Sequence, residues 1–372
     1  MRPAFSSTGQ AAVFLSLLLV LLAAPWLANQ TFLPQRDQTY SSQSFRWEKN
    51  PWAQKFIFEE TNDIDIAFVG SSHIGVGIDT PYVQDKLDEK LGRKTVVRTV
   101  TYFYPGFDAL YFVTKDLLTH RRVKTLVFYD ECSSTHYASD VHRLAPFWYR
   151  FGSDSRVMSG LSIGHQAIYY FASVIGMPRN LLELIVSNIP NDPENELTGP
   201  FAYLRAPNPE AESGSIQSRL GFDQTYGHGN TNFIPYLPHN EASPADVCVF
   251  APSTATNFCF SEKSLPMSQV YFAKQFALLA KAHGCKLLEL HLPLLAESKS
   301  PEITETRNWP DLMQAHVCLA GIPTGRLFKG LSEDEIENLF SDPEHLNVNG
   351  EKYFTPLITP ALIQFYENHS EN

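Results

Sequence analysis

Residues 63–79, DIDIAFVGSSHIGVGID, decide how the rest of the chain is read. Ile64 to Val69 is an apolar run broken only by Asp65, as in a strand buried inside a parallel sheet. It stops at Gly70 and meets two serines, a histidine and two further glycines. A serine in such a turn can do no more than satisfy nearby backbone groups. Alternatively it stands as a nucleophile at the strand's carboxyl edge, where parallel α/β sheets bind ligands.

Outward from this stretch the grammar repeats. TPYVQDKLDEKLG reads as a helix with Thr80 as N-cap, Pro81 in its first turn and Gly92 as its stop. KTVVRTV is a second strand, GFDALYFVTKDLLTH a helix and VKTLVFYD a third strand. The alternation breaks over residues 140–262, which hold the apolar stretch SIGHQAIYYFASVIGMPRNLLELIVSNI and then a tract rich in Pro, Asn and Gly. This part reads as an insertion or lid. Its segment AIYYFASVIGM is apolar enough to pack on the sheet, lie over the site or rest against a bilayer. The alternation resumes with the helix SLPMSQVYFAKQFALLAKAHG and the strand CKLLELHLP. GRLFKG is expected as a short fifth strand, Ser332 and Glu335 as a capping box, and residues 350–366 as a closing helix. Strands alternating with helices through short connections predict an α/β fold, a parallel sheet with helices on both faces.

The chain has 372 residues, 44% hydrophobic and 19% charged, enough to bury one large core with an insertion, or two domains. A net charge of -11 without any Lys/Arg-rich stripe excludes a nucleic-acid backbone as partner. Near the N-terminus, AAVFLSLLLVLLAAPWLA (residues 11–28) carries no charge and is long enough as a helix to span a hydrocarbon core of about 30 Å. Residues 1–30 are thus expected as a signal anchor with the rest outside the cytoplasm, or as a cleaved signal peptide of a secreted or periplasmic protein; Trp26 sits where cleavage wants a small residue. Residues 31–61 follow as a linker, then the core in two parts, 62–139 and 263–372. The five cysteines have no metal-like spacing, although Cys248 and Cys259 could close a loop by a disulfide.

Chemistry is expected at the strand ends. Ser71, Ser72 and His73 follow the first strand, Pro105 and Gly106 the second, Asp130 and Glu131 the third. Asp342 and His345 share the turn FSDPEHLNVNG before the last helix. A serine hydroxyl needs a base to take its proton, and the base works best when a carboxylate orients its other nitrogen; Asp-x-x-His offers both from one turn. An oxyanion then needs N–H donors, for which the Ser72 and Gly106 amides are candidates. His73, Asp130 and Glu131 are possible substrate contacts, set against a loop histidine and surface carboxylates. Asn347 and Asn349 read as turn or cap residues, and His291 as either a cleft or a structural histidine. No metal site and no cofactor is expected.

These blocks resemble the SGNH/GDSL hydrolase superfamily. GSS stands where that family has Gly-Asp-Ser, aligning Ser72 with the nucleophile and Ser71 with the variable acidic position. Gly106 in YPGFD matches the second block, and Asp342 with His345 in DPEHLN the last. The resemblance covers roughly residues 62–135 and 265–367. In place of the third block's Gly-x-Asn the chain reads FYDEC, without the asparagine donor. GSSH…GID with D..HLN..G is similar to the membrane-anchored branch, which includes the D-alanyl transfer protein of teichoic acid synthesis and relatives of the alginate O-acetylation proteins. The resemblance implies a three-layer, flavodoxin-like α/β/α fold and a Ser72–His345–Asp342 triad. The implied activity is ester hydrolysis or O-acyl transfer on an extracytoplasmic glycan, with an acylated glycan or acyl donor as substrate and a membrane-bound O-acyltransferase as partner. The missing asparagine leaves open a catalytically silent scaffold or carbohydrate-binding protein. The spacing of Gly70, Ser72 and Gly75 departs from the Gly-x-Ser-x-Gly elbow of α/β-hydrolases by one residue.

Overall fold

The computed structural model describes residues 5–31, 36–37, 40, 51–102, 106–129, 141, 145, 149, 153–171, 248–250, 266–298, 317–322 and 324–368, with backbone alone for 24–31, 51–52, 248–250, 319, 324–325 and 368. Six strands make one sheet: β1 (Ile64–Gly70), β2 (Val97–Thr101), β3 (Val123–Tyr129), β4 (Cys248–Phe250), β5 (Lys286–Leu290) and β6 (Val317–Gly321), in the order β2-β1-β3-β5-β6-β4. All neighbours are parallel except β4, which runs antiparallel to β6. The parallel strands therefore follow the 2-1-3-4-5 order of a doubly wound sheet, whose direction of winding reverses between β1 and β3 and opens a crevice beyond their carboxyl ends.

Seven helices carry labels: α1 (Thr8–Thr31), α2 (Ser72–Gly77), α3 (Thr80–Leu91), α4 (Phe107–His120), α5 (Met267–Ala282), α6 (Glu333–Glu337) and α7 (Val348–Asn368). Every residue of β1 is buried, and alternate side chains enter different cores. Ala67 and Val69 pack with α4 and α5 residues such as Leu110, Phe112, Phe272 and Phe276. Ile66 and Phe68 pack with α3 and α7 residues such as Val83, Leu87, Phe354 and Ile358. Helices thus cover both faces, as the strand–helix alternation requires.

Several local readings are corrected. GRLFKG is not a strand: Thr324–Leu327 is a helical turn, with Leu327 and Phe328 buried. The fifth parallel strand is VCLAG, a short continuous apolar run paired with β5. The N-cap of α3 is Asp79, whose carboxylate accepts from the Tyr82 amide at 3.1 Å; the Thr80 hydroxyl instead lies 2.5 Å from that of Thr99. The expected capping box of Ser332 and Glu335 is present on α6. The stretch expected as an insertion returns through β4, which covers the outer edge of β6. Residues 163–171 form a helix with Tyr169 buried and Ile168 and Phe171 exposed, so one face packs on the core and the other does not.

The linker is partly fastened down. Arg36 pairs with Asp116 and Asp154, and Tyr40 donates to Asp116 at 2.8 Å, which ties this segment to α4. Described side chains of α1 end at Ala23, with Val13, Leu17 and Leu19 exposed. Among the described residues no helix is long and apolar enough to cross a membrane, and the end of the expected span (residues 24–28) lies beyond the described side chains. Cys259 lies outside the described residues, while Cys285 and Cys318 are free thiols.

Asp65 at the start of β1 joins the two elements that matter most below. It accepts from Arg93 at 2.7 Å, Lys124 at 2.8 Å, Tyr366 of α7 at 2.7 Å and the Val96 amide at 3.0 Å. Burial alone would raise its proton affinity, but these donors outweigh burial and hold the carboxyl well below the usual range. A carboxyl depressed in this way stabilises the fold fully above its ordinary value of about 3.9, and that contribution is lost as pH falls below it. Asp65→Asn is therefore expected to lower stability at pH 7 and to flatten the loss of unfolding free energy below about pH 4, read from urea unfolding at stepped pH. An unchanged acid limb would remove Asp65 from this role.

Candidate active site

The chain leaves β1 at Gly70 and turns directly into α2, a six-residue helix. Ser71 is its N-cap, in extended conformation, and its side chain makes no cap hydrogen bond. Ser72 is the first helical residue, so its amide has no acceptor within the helix and points out of the N-terminus. The tight seat of α2 explains the glycines: a Cβ on Gly75 would lie 2.8 Å from Cγ2 of Thr101 at the end of β2.

The second half of the site is the turn before α7. Ser341 donates its amide to the His345 carbonyl at 2.9 Å, closing a small loop, and the Asp342 carboxylate accepts the Glu344 and His345 amides, both at 2.8 Å. Asn347 fixes this loop to the helix behind it. It is wholly buried; its Oδ1 accepts from the Asn349 amide at 2.8 Å and the Gly350 amide at 3.1 Å, capping α7, while its Nδ2 donates to the carbonyls of Asn338 and Phe340 at 2.9 and 3.1 Å. Asn347 is thus a cap residue, as expected, and also a clamp.

The two halves meet. Ser72 Oγ lies 2.8 Å from His345 Nε2, and His345 Nδ1 lies 2.8 Å from Asp342 Oδ2. An ionised carboxylate can only accept, so the proton of the neutral ring sits on Nδ1 and Nε2 is left to accept the serine proton. Asp342 is held ionised: burial raises its proton affinity, but the bonds from His345 and the two amides outweigh burial and leave it below its ordinary value. Of the two serines, Ser72 is partly exposed and faces the base, whereas Ser71 is fully buried with its hydroxyl 3.4 Å from His73 Nδ1. The arrangement can deprotonate Ser72 and return the proton to a leaving group.

Gly106 precedes α4 beyond the end of β2, the strand beside β1. Its carbonyl accepts from Tyr102 at 3.3 Å, and the next amide, that of Phe107, donates to Gln269 Oε1 at 2.7 Å. Gln269 in turn donates to Asp108 at 3.0 Å, so the start of α4 is held by α5. Pro105, Asp130 and Glu131 lie outside the described residues. His73 is buried at 5% exposure and stacks on the His345 ring, with centroids 4.4 Å apart. His291 does not line a cleft either: it is 1% exposed and 3.1 Å from the buried Glu297, on the segment whose Leu295 amide donates to the Pro343 carbonyl at 3.1 Å. Among the described residues no cluster of His, Cys, Asp or Glu could hold a metal ion.

Sequence reasoning missed Tyr129 and Glu344. Tyr129 stacks on the far side of His73, with centroids 4.8 Å apart, and Glu344 Oε2 lies 3.8 Å from His73 Nε2. The only available signal was their position, one at the end of a strand bordering the site and the other between Asp342 and His345. No protein-family model matches this chain, and neither a curated protein nor a solved structure does so.

Proposed function

We propose that the chain is an SGNH-type serine esterase or O-acyltransferase, carried outside the cytoplasm by its N-terminal segment, and acting on an acylated glycan of the cell envelope. The observation that carries this reading is the unbroken relay from Asp342 through His345 to Ser72, with 2.8 Å at each step, at the reversal point of a doubly wound sheet.

In this reading Ser72 Oγ attacks an ester carbonyl while its proton passes to His345 Nε2, and Asp342 holds the imidazolium through Nδ1–H. The oxyanion takes its hydrogen bonds from the Ser72 and Gly106 amides, standing in for the asparagine that FYDEC lacks. Collapse expels the alcohol, which takes the proton from His345 and leaves an acyl group, acetyl in the simplest case, on Ser72. Water then completes a hydrolysis; a sugar hydroxyl completes a transfer. A membrane-bound O-acyltransferase would supply the acyl donor. The chemistry needs no cofactor.

Purified full-length chain is expected to turn over p-nitrophenyl acetate and to be labelled at Ser72 by a fluorophosphonate. A folded chain inert to both would sink the enzyme reading and put a silent glycan-binding scaffold of the same fold in its place.

A further inference from the structure

We propose that His73 is a positioning residue for His345, the surface on which the base is seated, and that Glu344 and Tyr129 hold that surface in place. The inference rests on the reading of His345 as the base of Ser72. Three rings are stacked: Tyr129, His73 and His345. The first two have centroids 4.8 Å apart at 16°, the last two 4.4 Å apart at 21°.

The need for such a seat follows from the relay. The hydrogen bonds from His345 to Asp342 and to Ser72 leave from opposite edges of one ring. Both lie near the ring plane, so together they fix its position but resist rotation about the line joining the two nitrogens only weakly. A flat partner against one face removes that freedom. His73 supplies it from the residue next to the nucleophile, so the turn that presents Ser72 also sets the tilt of its base.

His73 itself has close neighbours around it. Tyr129 at the end of β3 covers its other face, Ser71 Oγ lies 3.4 Å from its Nδ1, and Glu344 Oε2 lies 3.8 Å from its Nε2. Glu344 comes from the same turn as Asp342 and His345. The two carboxylates and the ring of this turn therefore meet Ser71, Ser72 and His73 at two levels, the relay above and the stack below.

The test uses the full-length chain with His73→Phe, which keeps a flat ring, and His73→Ala, which does not. Three quantities are read: kcat and KM for p-nitrophenyl acetate, the rate of Ser72 labelling by a fluorophosphonate, and the low-field proton resonance of His345 Nδ1–H. His73→Phe is expected within about threefold of the parent in all rates. His73→Ala is expected to lose roughly 10- to 100-fold in kcat and labelling rate with KM little changed, the scale of a misplaced catalytic group. Its low-field resonance is expected to broaden or vanish. Labelling and kcat in His73→Ala within twofold of the parent would overturn the proposal, as would a His73→Phe chain as slow as His73→Ala. If the parent itself is neither labelled nor active, the esterase reading fails and the resonance alone decides: kept in His73→Phe and lost in His73→Ala, it upholds the seat; unchanged in both, it removes it.

Discussion

His345→Ala is expected to lower ester turnover by roughly 10³- to 10⁶-fold with the fold intact, because the group that takes the Ser72 proton is gone while the hydroxyl and its surroundings remain. Ser72→Ala should fall as far, and the double variant no further, since the two act as one unit. Asp342→Asn makes the sharper test. The amide oxygen can still accept the Glu344 and His345 amides that shape the turn. Its NH₂ group, however, would face His345 Nδ1, favouring the tautomer with the proton on Nε2, which cannot receive the serine proton. A loss on the order of 10³- to 10⁴-fold with an unchanged unfolding midpoint is expected. Turnover of the parent that survives in all three variants would place the nucleophile elsewhere.

Gly350→Ala is expected to cost roughly 3–5 kcal/mol, at the severe end for a single substitution. A Cβ there would stand 2.1 Å from the Leu339 carbonyl oxygen and 2.7 Å from Leu346 Cδ2. The first is backbone in the loop that Asn347 clamps, so it cannot swing aside. Either α7 withdraws or the loop from Leu339 to Leu346 is displaced, and His345 moves with it. Unfolding in urea should show the loss, and the rate of Ser72 labelling in the remaining folded chain should fall as well. Gly164→Ala serves as control: among the described residues its added methyl meets nothing nearer than Ser162 Oγ at 3.8 Å, and a change within about 0.5 kcal/mol is expected. Equal stability of the two variants would mean the approach at Gly350 is not as tight as described.

What could be seen in the chain beforehand followed from local pattern. Apolar runs bounded by Gly70 and Gly92, the helical spacing after Gly106 and the capping box at Ser332 each depend on residues a few places apart, and these gave the α/β class. The same is true of Asp342 and His345, whose spacing places ring and carboxylate in one turn. GRLFKG misled because a helical turn of four residues is too short to show a helical period, and VCLAG went unnoticed because five apolar residues carry no periodicity of their own. The three-residue β4 could not be read at all, since its only reason to be a strand is the open edge of β6. His73 was legible as a residue near Ser72, but its burial depends on Tyr129, which a sheet neighbour brings to it across more than fifty intervening residues of chain.

The meeting of Ser72 with His345 also has a consequence in time. The two are separated by 273 residues of sequence. At a synthesis rate of about 5–20 residues per second, the serine exists for on the order of tens of seconds before its base has been made. β1, β2 and β3 can already be paired in that interval, yet Ser72 has no proton acceptor, because the turn before α7 that carries His345 is not yet made. In the proposed reading, a nascent chain therefore carries an unassisted Ser72 until residue 345 has been made. In the proposed reading, reactivity waits for the turn that carries Asp342 and His345, so synthesis of that turn is itself the activating step.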